Sequence, residues 1–416
     1  MDTENSTQTN ASHLAEIDYI LSSTAIRERA GQILNLARTE SLAHFSLNEE
    51  KLPILARALI DEIHQNYPDH AIPYHSRWRH FDVGGTNRLD SLDTSLKALS
   101  SLERCMAKIE LTIISVLLDA GAGEAWQYSE PQTNRKYSRS EGLAIASLYG
   151  FGSMVFGPKP FQVSSDALKT INIEQLSELF QVTPSNPLQG LAGRVSLMNA
   201  LGELVQKLPA LNNTTSLRLG NFMGLILEQT SENTIEANVL LSIVLKTFGN
   251  IWPGRLTIDG TSLGDVWKHP LVKGMGCTNN LVPFHKLSQW LTYSLLEPLE
   301  EFGITVKNID ELTGLAEYRN GGLFIDSQLI TLKDPSKAQL LHTPDSELIV
   351  EWRALTISLL DILADNVRKT LNMSPMQLPL AKVLQGGTWS LGRKYAKSLR
   401  DNGGPPIRIR SDGTVF

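Results

Sequence analysis

The chain has 416 residues, of which 42% are hydrophobic and 20% charged, with a formal net charge of −6 at pH 7. These values suit one large globular domain or two to three ordinary ones, and the lack of a Lys/Arg run excludes duplex nucleic acid as an expected partner. Two isolated cysteines, Cys105 and Cys277, make neither a disulfide framework nor a zinc site and fit a reducing, cytoplasmic setting.

Residues 1–12 read as disordered: "MDTENSTQTNASH" is polar and lacks the basic and apolar regions of a signal peptide. Helical spacing runs from about Leu14 to Tyr67, and "LPILARALIDEIHQNY" sets Leu52, Leu55, Leu59, Ile60 and Ile63 on one face. The prolines of "YPDHAIP" end it, and "YHSRWRHFDVGG" is a loop dense in polar and aromatic groups. Leu89 to Leu118 predicts one long helix or two, ending at "DAGAG" with Gly121 at the C′ position. The apolar run there, "LTIISVLLDAGAG", is too short to span a bilayer, so no membrane partner is expected. "SRSEGLAIASLYGFG" opens another helix with Ser140 as its N-cap.

Between about 160 and 250, "IEQLSELF", "LMNALGELVQKL" and "NVLLSIVLKTFG" are amphipathic helices. "WPGRLTIDGTSLGDVWKHP" is irregular and carries short strands. "FHKLSQWLTYSLLEPLEEFG" is a helix with Leu287, Trp290, Leu291 and Leu295 as its apolar stripe and a kink or break at Pro298. "GLFIDSQLITL" predicts a short hairpin and "DSELIVEWRALTISLLDILADNVRKTL" a long helix. "NGGPPIRIRSDGTVF" predicts a C-terminal hairpin around Asp412-Gly413. The sum is a mainly α chain, with residues 13–416 as one large helical domain whose weakest point for a boundary lies at 164–186.

No dinucleotide-binding, Walker, His-Glu-x-x-His or Gly-x-Ser-x-Gly signature is present. His75 and His80 are five apart, off the i, i+4 spacing of a helical zinc pair, so no metal and no cofactor is expected. Four constellations carry chemistry, each with a plainer reading beside it. In "HSRWRHFDVGG", His75, Arg77 and Arg79 offer a forked cationic grip on an oxyanion, or a surface loop with locally paired arginines. In "LDAGAGEAWQY", Asp119 and Trp126 suit a sugar, or simply end a helix. In "VPFHKLSQWLTYS", Lys286 and Gln289 share the edge of the apolar stripe with Tyr293, facing a cleft or reaching to water. His285 beside them titrates near neutrality if it borders a cleft. In "LAEYRNGG", Glu317, Tyr318, Arg319 and Asn320 either gather round a ligand, with the glycines admitting it, or form an ion pair beside a turn.

Six blocks taken together, "IPYHSRWRHFDVGG", "LDAGAGEAWQY", "SRSEGLAIASL", "VPFHKLSQWLTYSLLEPLE", "LTGLAEYRNGGL" and "GGPPIRIRSDGTVF", resemble the uracil catabolism protein 4 family over nearly the whole chain. That family belongs to a pyrimidine-degrading route that opens the uracil ring and releases urea. The resemblance implies a small ribosyl or phosphoribosyl substrate and hydrolysis of the N-glycosidic bond that joins urea to ribose. A fainter similarity, through "EGLAIASL", "PFHKLSQ" and "LTGLAEYR", is to the queuosine-salvage nucleoside hydrolase family. It implies a multi-helix body like that of helical DNA glycosylases. That family's block similar to "LAEYR" has aspartate where this chain has Glu317, and its lysine falls on Lys286.

The resemblance implies these roles. Glu317 faces an oxocarbenium-like centre or activates water, Asp119 assists, and His285 protonates the leaving urea. Lys286, Arg319, Arg77, Arg79 and His75 anchor sugar or phosphate, with Tyr318, Asn320, Gln289 and Trp126 completing the pocket. Two other readings stand open: a metal-free amidohydrolase or deaminase acting on the ureido group, and a helical scaffold without catalysis. Oligomeric state is not legible in the sequence.

Overall fold

The longer helices, in chain order, are α1 (Ser23–Arg38), α2 (Leu52–Asn66), α3 (Arg88–Leu96), α4 (Ser101–Leu117), α5 (Arg139–Gly152), α6 (Leu191–Val205), α7 (Ala237–Phe248), α8 (Lys286–Phe302), α9 (Tyr318–Asp326), α10 (Glu347–Leu371) and α11 (Trp389–Leu399). A computed structural model describes residues 13–119, 121–211, 217–252 and 256–410. The predicted disorder of residues 1–12 and the predicted hairpin at Asp412-Gly413 lie outside the described residues. The chain is mainly α, as expected, and its strands are short pairs. Among the described residues no helix is long and apolar enough to cross a membrane.

The described residues fall into two compact units that alternate along the chain. The first takes those of Met1–His75, Gly254–Gln289 and Asn308–Arg410; the second takes those of Ser76–Pro253 and Trp290–Lys307. The 164–186 stretch lies inside the second.

In the first unit α10 is the axis. From Leu348 to Leu360 every residue is buried, and α1, α2 and α9 pack on it. A helix buried on all faces belongs in a core, where each buried Leu or Ile contributes about 1.5–3 kcal/mol. Phe45–Leu47 pairs antiparallel with Ile330–Leu332, and Val266–Lys268 with Leu281–Pro283. "GLFIDSQLITL" is therefore not a hairpin: its first part is the body of α9, and only Ile330–Leu332 is strand. The paired glycines do sit inside that helix. A Cβ at Gly321 would stand 2.7 Å from both Thr356 Oγ1 and Trp352 Nε1, so α9 approaches α10 more closely than a side chain permits.

In the second unit α4 plays the same part, with Cys105 to Leu117 buried throughout. Its polar groups are each met. Glu110 accepts from the Arg218 guanidinium at 2.8 and 3.0 Å and from the Gly220 N–H at 2.7 Å. Ser115 Oγ accepts from Arg77 Nε at 2.7 Å. Leu89 to Leu118, expected as one long helix or two, forms two, α3 and α4. α4 ends at Leu117 with Leu118 as its cap, so Gly121 lies beyond the C′ position. Ser138, not Ser140, occupies the N-cap position of α5.

Pro298 does not end α8, which runs on to Phe302. Proline has no N–H, so the Ser294 carbonyl loses its helical donor. Trp78 Nε1 donates to that carbonyl at 2.8 Å and takes the missing place. Trp78→Phe should therefore cost about 1–3 kcal/mol, read as a lower melting temperature. Adding Pro298→Ala in the Trp78→Phe background should recover about 1 kcal/mol, because an alanine there restores a main-chain N–H for the Ser294 carbonyl. A double variant no more stable than Trp78→Phe would refute this account.

Candidate functional site

Glu317 sits at the N-cap of α9 with extended backbone, φ −115° and ψ 159°. Its carboxylate accepts the main-chain N–H of Arg319 and of Asn320, each at 2.6 Å. The ion-pair reading of "EYR" is thus replaced by a cap: the Arg319 amide, not its guanidinium, meets Glu317. That guanidinium donates instead to the Gly403 carbonyl at 3.4 Å and lies over the Tyr318 ring, 5.2 Å from its centroid. Asn320 is buried, with Thr388 Oγ1 donating to its Oδ1 at 2.9 Å and its Nδ2 donating to the Leu315 carbonyl at 3.3 Å.

Capping alone does not account for Glu317. Helix N-caps favour Ser, Thr, Asp and Asn, whose short arms suffice for the same bonds. Each carboxylate oxygen has two lone pairs, and with one amide on each the described residues leave the other half of the acceptor capacity unspent. Desolvation raises the Glu317 pKa above the ordinary carboxylate value, against the two amide bonds and the charges of Arg319 and Lys286, which lower it.

Asp265 is the opposite case. Its carboxylate receives both terminal nitrogens of Arg353 at 2.8 and 2.7 Å, Trp267 Nε1 at 2.7 Å and the Lys286 N–H at 3.0 Å. Four donors use its full acceptor set. Asp265 thereby holds the first turn of α8, where Lys286 begins the helix. Arg353 Nε donates to the Ala316 carbonyl at 3.2 Å, one residue before Glu317. The guanidinium also lies 4.1 Å from the centroid of Phe284. Neither Asp265 nor Arg353 is among the residues expected from the sequence. The available signal is Arg353 itself, an arginine set among the apolar residues of the predicted long helix.

The other expected residues of the first unit are placed as follows. His285 is buried in a left-handed conformation, φ 46°, and its Nε2 donates to the Ile20 carbonyl at 3.0 Å. Burial lowers its pKa, so it is a neutral imidazole tied to the main chain. Gln289 is buried; its Oε1 accepts the Thr313 N–H at 3.4 Å, and its Nε2 has no hydrogen-bond partner among the described residues. His75 is buried, donates from Nδ1 to Gln385 Oε1 at 3.0 Å, and has its pKa pushed down to about 4 by burial.

The second unit holds the remaining residues. Arg77 is fully buried and pairs with Asp119 at 3.0 Å, while Ser140 Oγ donates to the same carboxylate at 2.5 Å. Arg79 pairs with Glu297. Trp126 is a core residue whose Nε1 donates to the Phe180 carbonyl at 2.8 Å and whose ring meets Phe180 edge-on. A cavity of about 290 Å³ in this unit is lined by Lys97, Arg104, Lys108 and Glu301 among others, and none of the expected site residues borders it. The residues expected to act together thus divide: Glu317, Lys286 and Arg319 with the first unit, Arg77 and Asp119 with the second.

One group of metal-ligand types occurs among the described residues: His44, Glu347 and Glu351 bring ligand atoms within 4.8 Å of one another. Glu351 accepts the main-chain N–H of Ala43 and His44, each at 3.0 Å, and Lys337 Nζ lies 3.2 Å from His44 Nδ1. These contacts account for the group as a clasp between α10 and the strand segment at Phe45.

The profile of a family described as "Protein of unknown function (DUF1688)" matches residues 19–416. Uracil catabolism protein 4 of Lachancea kluyveri is 35% identical over 437 residues, covering 96% of this chain and 99% of that one. Protein urg3 of Schizosaccharomyces pombe is 40% identical over 409 residues, covering 95% and 98%. The chain belongs to this family. The family match runs through both units, and it contains Glu317, Lys286, Asp265 and Arg353.

Proposed function

We propose that this protein is a hydrolase of uracil catabolism that frees urea from ribosylurea or its 5′-phosphate. The C1′–N bond breaks, a water oxygen joins C1′, and urea leaves with a proton. The observation that carries this reading is Glu317: a half-buried carboxylate, fixed by two amides, with lone pairs that no donor among the described residues takes up and the charges of Lys286 and Arg319 acting on it. A developing oxocarbenium centre calls for such a fixed negative group. Its raised pKa also suits it to take a proton from water at moderate pH. Lys286 and Arg319 supply cations for sugar hydroxyls or a phosphate. The name of the Lachancea kluyveri relative, uracil catabolism protein 4, supports the pathway. His285, neutral and tied to Ile20, is assigned to holding the start of α8 rather than to protonating urea.

The test is incubation of the purified protein with ribosylurea and with its 5′-phosphate, scoring urea, ammonia and sugar. Urea with ribose or ribose 5-phosphate is the expected outcome. Ammonia ahead of urea would replace the proposal with an amidohydrolase. No turnover, together with no rise in melting temperature on adding either compound, would favour a scaffold without catalysis.

A further inference from the structure

We infer that Arg353 is a positioning residue that sets Lys286 and Glu317 relative to one another; the inference builds on the proposed role of Glu317. The two peptide segments that carry these residues are distant in sequence, and one side chain reaches both. Its terminal nitrogens hold the Asp265 carboxylate at 2.8 and 2.7 Å, and Asp265 Oδ2 accepts the Lys286 N–H at 3.0 Å. Its Nε holds the Ala316 carbonyl at 3.2 Å. Glu317 follows directly, with its own carboxylate closed on the Arg319 and Asn320 amides.

The chemistry of the side chain suits this task. A guanidinium presents donors in a rigid planar fork, so its terminal edge can bind a carboxylate while Nε points elsewhere. A lysine in its place has one nitrogen and cannot reproduce both directions. The group is also packed in: Arg353 is 1% exposed, α10 is buried on every side there, and Phe284 lies against the guanidinium face. Asp265 adds a second tie to the same junction, since its main-chain carbonyl accepts the Phe284 N–H at 2.9 Å. A buried ion pair of this kind is weak evidence for stability. Its placement is what stands out: its bonds end on the residue before Glu317 and on the first residue of α8.

Amide hydrogen exchange tests this without requiring turnover. Arg353→Lys keeps a charge for Asp265 and gives up the Ala316 bond. The Lys286 amide should stay near wild-type protection while the Arg319 and Asn320 amides exchange about tenfold faster, the size of one lost hydrogen bond. Asp265→Asn, which keeps one oxygen acceptor, should show the reverse, with Lys286 faster and Arg319 and Asn320 little changed. If Arg353→Lys fails to fold, Asp265→Asn alone decides. Uniform loss of protection across the first unit in both variants would reduce Arg353 to a stabilising residue and overturn the inference, as would unchanged protection at all three amides. Where wild-type protein releases urea, Arg353→Lys should lower kcat more than it raises KM. A wild-type protein with no urea release defeats the proposed function and leaves the exchange result to judge Arg353.

Discussion

Glu317→Gln is expected to fold and to lose roughly 10³-fold in urea release, the scale at which a fixed electrostatic partner of a transition state is felt. The amide oxygen still accepts one of the two α9 amides, so the capping loss should stay near 1 kcal/mol. Glu317→Asp separates the two roles. It caps well, but withdraws the carboxylate by one methylene, and should keep wild-type stability with activity between the wild type and Glu317→Gln. The pH profile gives a third readout. The proposed mechanism needs the ionised carboxylate, so the rate should fall as pH drops through the Glu317 pKa. Burial raises that pKa, which puts the acid limb above the ordinary glutamate range, and the Gln variant should lack the limb. Wild-type turnover by Glu317→Gln would leave Glu317 as a helix cap and no more.

The largest expected loss of stability is at Arg218→Met in the second unit. Glu110 is fully buried in the centre of α4, and desolvation raises its pKa against four bonds that lower it. Two of those bonds come from Arg218, which also pairs with Glu103. Removing the arginine strands a buried carboxylate, which costs about 3–5 kcal/mol. Replacing both partners removes the stranded charge, so Glu110→Gln with Arg218→Met should melt above Arg218→Met alone. A melting temperature for Arg218→Met within about 1 °C of wild type would show that water or rearrangement relieves the charge.

Much of the helical framework is legible because its cause is local. The spacing of Leu52, Leu55, Leu59, Ile60 and Ile63, and of Leu287, Trp290, Leu291 and Leu295, is an apolar stripe, and all of these residues but the half-buried Leu52 are buried. The hairpin expected over "GLFIDSQLITL" fails for a local reason as well. The Glu317 carboxylate caps the free amides of Arg319 and Asn320, and the cap is what starts a helix at Tyr318. Nor does Gly321 admit a ligand: the space beside it is taken by Trp352 and Thr356.

What the sequence by itself determined is the mainly α character, the helix faces and the residue types gathered at "LAEYRNGG" and "FHKLSQ". All of these rest on interactions within a few residues, where periodicity and side-chain chemistry act directly. Only the tertiary structure decided partners. It met the carbonyl freed by Pro298 with Trp78, closed Glu317 on its own helix, and filled Asp265 so fully that it is left to hold structure. It also ran a guanidinium from Arg353 to both segments of the candidate site. These pairings join residues far apart in the chain, and a hydrogen bond of about 3 Å depends on where folding puts its two ends.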